Sequence, residues 1–180
     1  MSKSILITGG AASGKSRWAA SYFSGCDNVL YLKVGGEIDH DVLHRIEFDN
    51  KQRGLEWNIM STDKMTPAEE IASHKFVIFD SLSSFTRLAL RGTSTVEALS
   101  ENAKKELEKR VIDETEAVLD RVFENNGNIV IITVETGFQT TTEDSFISAY
   151  RDILGRVNQR IANSADEVYF SASGIQFKIK

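Results

Sequence analysis

The segment "ILITGGAASGKSRWAA" holds Gly9, Gly14, Lys15 and Ser16 in the spacing G-x-x-x-x-G-K-S, directly after an apolar run and directly before a helical pattern. In that setting glycines let the backbone curl so that successive N–H groups converge on phosphate oxygens, and the helix N-terminus adds partial positive charge. Lys15 is spaced to reach the β- and γ-phosphates of a nucleoside triphosphate, and Ser16 to ligate Mg²⁺. The predicted phosphate cradle is Gly9, Gly10, Ala11, Ala12, Ser13, Gly14, Lys15, Ser16 and Arg17, and the predicted cofactors are GTP or ATP with Mg²⁺. Such a site wants an acid at the end of a neighbouring strand. Asp80, closing "FVIFD", and Glu135, closing "IVIITVE", both qualify. Asp80 reads either as a metal ligand with Ser16 or as the N-cap of a helix beginning near Leu82, and Glu135 equally as an ordinary loop carboxylate.

Of the chain's three histidines, His40 and His44 lie in "DHDVLHRIEFDNKQRG" and His74 follows Ser73 just ahead of a strand. A neutral imidazole can attack phosphorus without bringing negative charge. Nothing local gives His40 or His44 that role, because a helix with two histidines is ordinarily a solvated helix, and His74 reads as surface. Arg45, Arg53, Arg151 and Arg156 suit anion binding and surface salt bridges about equally. Cys26, the single cysteine, excludes an internal disulfide and reads as a small residue in a turn.

Positioning these groups takes an alternating framework. Apolar runs "SILIT", "NVLYL", "EWNIM", "FVIFD", "NIVIITV" and "EVYFSA" are mostly separated by helical patterns, the signature of an α/β fold with a mostly parallel sheet covered on both faces. Residues 96 to 125 place Leu99, Ala103, Leu107, Val111, Thr115, Val118, Leu119 and Val122 near one face of a long helix, which "ENNGN" ends with Gly127 available for a left-handed cap. "TPAE" predicts a shorter helix from Thr66, with Pro67 in its first turn and Glu69 completing a capping box. A last helix over about 145 to 164 precedes a terminal antiparallel hairpin turning at Ser173-Gly174. No repeat, low-complexity tract or linker divides the 180 residues, so one domain is predicted over 1–180. With 21 Lys+Arg against 26 Asp+Glu, the net charge of -5 argues against a surface devoted to nucleic acid or an anionic membrane. The amino terminus carries only a three-residue apolar run, so neither a signal sequence nor a membrane span is predicted and the reading is cytoplasmic.

Read together, "ITGGAASGKSR", the R-I-x₆-R-x₃-W spacing of Arg45, Ile46, Arg53 and Trp57, and "YRDILGRVNQRIANSADEVYFSASGIQFKIK" resemble the adenosylcobinamide kinase / adenosylcobinamide-phosphate guanylyltransferase family of cobalamin biosynthesis. The resemblance implies a RecA-like P-loop fold and a homo-oligomer, often a trimer. It implies phosphorylation of the aminopropanol hydroxyl of an adenosylcobinamide-type acceptor by ATP or GTP, then transfer of GMP from GTP through a guanylyl-histidine. Asp80 stands where that family has an acid, and Glu135 keeps its place.

Four residues beyond Arg45, where the resemblance places the guanylylated histidine, this chain has Asp49. A carboxylate could form an acyl phosphate, but its charge about 4 Å from a phosphate charge costs on the order of 4 kcal/mol at an effective dielectric near 20. On a regular helix His44 points some 140° away from position 49, and His40 lies about 13 Å along the axis. The loop after the fifth strand also departs from the resemblance, with Val134, Glu135, Thr136, Gly137, Gln139 and Thr142. Three functions stay open: an enzyme of both steps, one that keeps only phosphoryl transfer, and a nucleotide-binding regulatory or assembly protein.

Overall fold

Along the central strands, neighbouring residues bury against opposite faces of one sheet. In β1 (Lys3–Gly9), Ile5 and Ile7 face one side and Leu6 the other. The computed structural model describes residues 2–71, 74–91, 100–137 and 144–180. With β1, strands β2 (Val29–Val34), β3 (Asn58–Thr62), β4 (Phe76–Asp80), β5 (Asn128–Ile132), β6 (Glu167–Ala172) and β7 (Ile175–Lys178) form a sheet in the order β3-β2-β4-β5-β1-β6-β7. Every neighbouring pair is parallel except β6–β7, the terminal hairpin, so the predicted α/β architecture is the observed one.

Helices α1 (Lys15–Tyr22) and α2 (His40–Arg53) cover one face, where Ala19, Phe23 and Ile46 pack on Ile5, Ile7, Tyr31, Ile78 and Val130. Helices α3 (Leu82–Arg91), α4 (Glu101–Glu124) and α5 (Ser145–Ser164) cover the other, around Leu6, Leu32, Phe79, Phe85, Val118 and Ile153. Because parallel strands all deliver their C-terminal ends to one edge, the loop before α1, the end of β4 and the residues after β5 meet there.

Three local expectations are corrected. The segment after Thr66 makes only a 3₁₀ turn, Pro67–Glu70, and the Thr66 side chain makes no capping bond. Ile71, the residue directly after that turn, is buried in the core. At the end of α4 the left-handed residue is Asn126, with φ 54°. Gly127 is required for a different reason: a Cβ there would lie 2.6 Å from the Lys75 carbonyl oxygen. His74 is buried, not surface, at 8% exposure, and its Nδ1 has no partner among the described residues. The predicted helix start at 96 and Leu99 lie outside the described residues, and α4 opens with Ser100 accepting a hydrogen bond from the Ala103 N–H at 3.2 Å.

Candidate active site

The phosphate loop leaves β1 at Gly9, whose φ of 145° and 2.2 Å clearance from a Cβ to the Ser171 carbonyl oxygen admit no side chain. It enters α1 through Gly14 as N-cap. The neighbouring hairpin braces the loop: Ser171 Oγ donates to the Ser13 carbonyl at 2.6 Å, and the Gly174 N–H donates to the same oxygen at 3.0 Å. Lys15 is buried, and its Nζ donates to the carbonyls of Gly10 at 2.5 Å and Gly9 at 3.1 Å and to Ser13 Oγ at 3.4 Å. Burial lowers the Lys15 pKa from its ordinary value, with the Asp80 charge opposing that shift.

Asp80 sits across from the start of α1. Its Oδ2 accepts from the Ser16 hydroxyl at 3.3 Å and from the Tyr31 hydroxyl at 2.5 Å, and its Oδ1 lies 3.2 Å from Lys33 Nζ. Burial, followed by the Asp80 charge and hydrogen bond, pushes the Tyr31 pKa far above its usual range, so the phenol stays a donor. The alternative role for Asp80, capping α3, belongs to Ser81: its Oγ accepts the Ser84 N–H at 3.1 Å. Ser16 and Asp80 therefore offer a hydroxyl and a carboxylate oxygen side by side at a helix N-terminus, the hard oxygen donors that suit Mg²⁺ beside a phosphate chain.

Glu135 follows β5 at the same edge; its N–H donates to the Gly9 carbonyl at 3.2 Å and its carboxylate accepts the Gly137 N–H at 2.8 Å. Asn158 of α5 fixes that turn, accepting from Thr133 Oγ1 at 2.8 Å and donating to the Val134 carbonyl at 2.9 Å. A cavity of about 550 Å³ opens there on the α5 face, lined by Thr8, Glu135, Arg151, Asp152 and Gln159 among others.

The model of the cobinamide kinase / cobinamide phosphate guanyltransferase family matches residues 5–179. The chain belongs to that family. It is 31% identical over 183 residues to the bifunctional adenosylcobalamin biosynthesis protein CobU of Salmonella typhimurium, a match covering 98% of this chain and 99% of that one. It is 29% identical over 180 residues to CobU of Escherichia coli, covering 98% and 99%, and 26% identical over 180 residues to the bifunctional protein CobP of Pseudomonas aeruginosa, covering 97% and 96%. A cobinamide kinase / guanyltransferase family member is an enzyme, and its P-loop fold is the one built here.

Within this family member, the loop residues, Lys15, Ser16, Asp80 and Glu135 come together, while α2 approaches them only at its N-terminal end. Asp39 caps α2, accepting from the N–H groups of Asp41 and Val42, and His40 opens the helix at the phosphate edge. The helix then runs as a regular 14-residue rod away from that edge. Asp49 lies in a groove with Ala20, Ser21, Ser24, Ile46, Asn50 and Trp57, and its carboxylate is 3.9 Å from Arg45 Nε. Ser21 is five residues past Ser16, about 7.5 Å along α1 at 1.5 Å per residue, so Asp49 is not beside the phosphate loop. Arg53, in the last turn of α2, is farther still; His44, Arg45 and Arg17 are exposed. Arg156 pairs with Glu108 of α4 at 2.5 Å. Gln139 and Thr142 lie outside the described residues. Among the described residues no helix is long and apolar enough to cross a membrane.

Sequence reasoning missed three groups. Tyr31 and Lys33 alternate along β2 on the face that carries Asp80, and Lys33 is in direct register with Asp80. A lysine near the end of the buried run "VLYLKV" was the available signal. Ser171, 1% exposed, had none, because its role rests on the pairing of β6 with β1.

Proposed function

We propose that this protein transfers the terminal phosphoryl group of GTP or ATP to the aminopropanol hydroxyl of an adenosylcobinamide-type acceptor, and GMP from GTP onto the phosphate so formed. The observation that carries the first step is the convergence of the Gly9–Ser16 loop, Lys15 and Asp80 on one helix N-terminus. Phosphoryl transfer asks the protein for positioning and charge stabilisation, and needs no protein nucleophile. Loop N–H groups hold the phosphate oxygens, and Lys15 leaves the Gly9 and Gly10 carbonyls to meet the transferred group. Ser16 and Asp80 would hold Mg²⁺, which supplies charge neutralisation along the phosphate chain when bound. The relatives named as bifunctional support the second step. The reading includes a single nucleotide-binding domain, a cytoplasmic location and a homotrimer.

A second reading, a kinase that has lost GMP transfer, is favoured by one observation: the position the family resemblance assigns to a histidine holds Asp49, paired with Arg45 on an exposed helix face. Sequential incubation with α-labelled GTP, then with adenosylcobinamide and γ-labelled GTP or ATP, separates the two. Transfer of γ-label to the corrinoid supports the kinase step, and its absence overturns both readings. Label from α-labelled GTP retained on denatured protein supports the full pair of reactions; γ-transfer without it supports the kinase alone.

A further inference from the structure

Lys33 has no part in the function just proposed, yet it is built into the same site. It is the penultimate residue of an otherwise apolar strand, in register with Asp80, with only 17% of its side chain exposed. A lysine there gives up hydration, and packing alone offers no return that an aliphatic residue would not match. Its ammonium is 3.2 Å from Asp80 Oδ1, while Oδ2 of the same carboxylate faces Ser16 and Tyr31. One carboxylate is thus divided between a lysine on one oxygen and the metal-binding side on the other. Lys15, the second ammonium of the site, likewise rests on internal acceptors, the Gly9 and Gly10 carbonyls.

We propose that Lys33 is a second phosphate-binding residue of the nucleotide site, held on Asp80 until a nucleotide with its Mg²⁺ arrives. The inference rests on the nucleotide-site reading above. With Mg²⁺ held by Ser16 and Asp80, the carboxylate's charge would be taken up and the hold of Asp80 on the Lys33 ammonium would weaken. The terminal phosphate of a bound nucleotide then offers compensating negative charge to an ammonium on a flexible four-carbon stem. The lysine's contribution to binding therefore depends on Mg²⁺ and on the third phosphate.

Calorimetric titration of the full chain tests this with the β,γ-imido analogues of GTP and ATP and with GDP and ADP, each with and without Mg²⁺. With Mg²⁺, Lys33→Met is expected to weaken binding of the triphosphate analogue about tenfold or more, in line with loss of one charge-assisted hydrogen bond, and of the diphosphate by less than about threefold. Lys33→Arg should recover most of the affinity, and without Mg²⁺ the variants should match the parent. Lys33→Gln carries the same expectation if the Met variant melts early. Unchanged or tighter binding of the Mg²⁺-triphosphate by both neutral variants, or equal loss for di- and triphosphate, overturns the proposal while leaving the nucleotide site intact. A parent protein that binds no nucleotide overturns the site and the proposal together.

Discussion

The phosphate edge and the α2 face are both candidate reaction surfaces, and they are built in opposite ways. At the edge, Lys15 and Asp80 are buried; Lys15 rests on the Gly9 and Gly10 carbonyls, Asp80 gathers Ser16, Tyr31 and Lys33, and the hairpin braces the loop from the side. On α2 only Ile46 is buried, and the Arg45–Asp49 contact is a solvent-exposed pair at 3.9 Å. Exposed pairs of that kind contribute little to stability or orientation. Preorganised charge in a partly desolvated site is what accelerates transfer to or from phosphate. The difference separates the two proposed reactions: the residues proposed for phosphoryl transfer stand assembled, while Asp49, where the family resemblance places the guanylylated residue, lies away from them.

The largest effects should fall at the edge. Lys15→Ala is expected to lower γ-label transfer by about 10²-fold or more, since it removes the donor proposed to meet the transferred group. Its melting temperature should hardly change, because burying that ammonium already opposes folding. Asp80→Asn should cost turnover on a similar scale, about tenfold to 10²-fold, with a stability loss under about 1 kcal/mol, as the amide still accepts from Tyr31 and the Lys33 stem can carry its charge toward water. Equal losses of turnover and stability in Asp80→Asn would remove it from the site and erase the contrast with α2.

Bracing by the hairpin predicts an intermediate effect. Ser171→Ala removes the 2.6 Å bond to the Ser13 carbonyl while the Gly174 N–H still reaches that oxygen. A stability loss of about 1 kcal/mol is expected in chemical denaturation. Nucleotide KM should rise a few fold with a smaller change in kcat, and an unchanged KM would show that the loop holds its shape without the hairpin. On α2, Asp49→Asn should leave γ-label transfer within about twofold, because removing a half-buried carboxylate away from the loop changes no group at the edge. A tenfold loss there would mean that α2 reaches the phosphate loop during turnover.

The sequence made the edge legible because its residues are local to strand ends. The glycine frame, Lys15 and Ser16 are contiguous, and Asp80 closes a five-residue apolar run that must be a strand. The alternation of apolar runs with helical patterns also pointed to a sheet covered on both faces, and Ser173-Gly174 between two alternating runs marked the hairpin. What stayed hidden depends on which strands lie side by side. Lys33 matters through the register of β2 with β4, and Ser171 through the pairing of β6 with β1, and neither pairing is encoded near the residue itself. The Asn126 cap and the 3₁₀ turn at Pro67–Glu70 were misread because tertiary contacts overrode local preference: Gly127 is claimed by the Lys75 backbone, and Ile71 by the core.

The smallest predicted effect extends the contrast to the two ends of β4. At its C-terminal end Asp80 is surrounded by donors; just before its N-terminal end, His74 is buried with Nδ1 unpartnered among the described residues. Burial lowers the His74 pKa below its ordinary value of 6.5. The folded state therefore disfavours the imidazolium, while the unfolded chain takes up a proton as the pH falls below about 6.5. Stability is unaffected by this group above that pH and declines from there down to the depressed folded pKa, below which the deficit stays constant. His74→Phe keeps a ring of similar size and abolishes the titration. Thermal melts at pH 7.5 and pH 5.5 should show a drop in the parent that exceeds the drop in the variant by a few degrees; equal drops would mean that His74 is protonated as readily in the folded protein as in the unfolded chain.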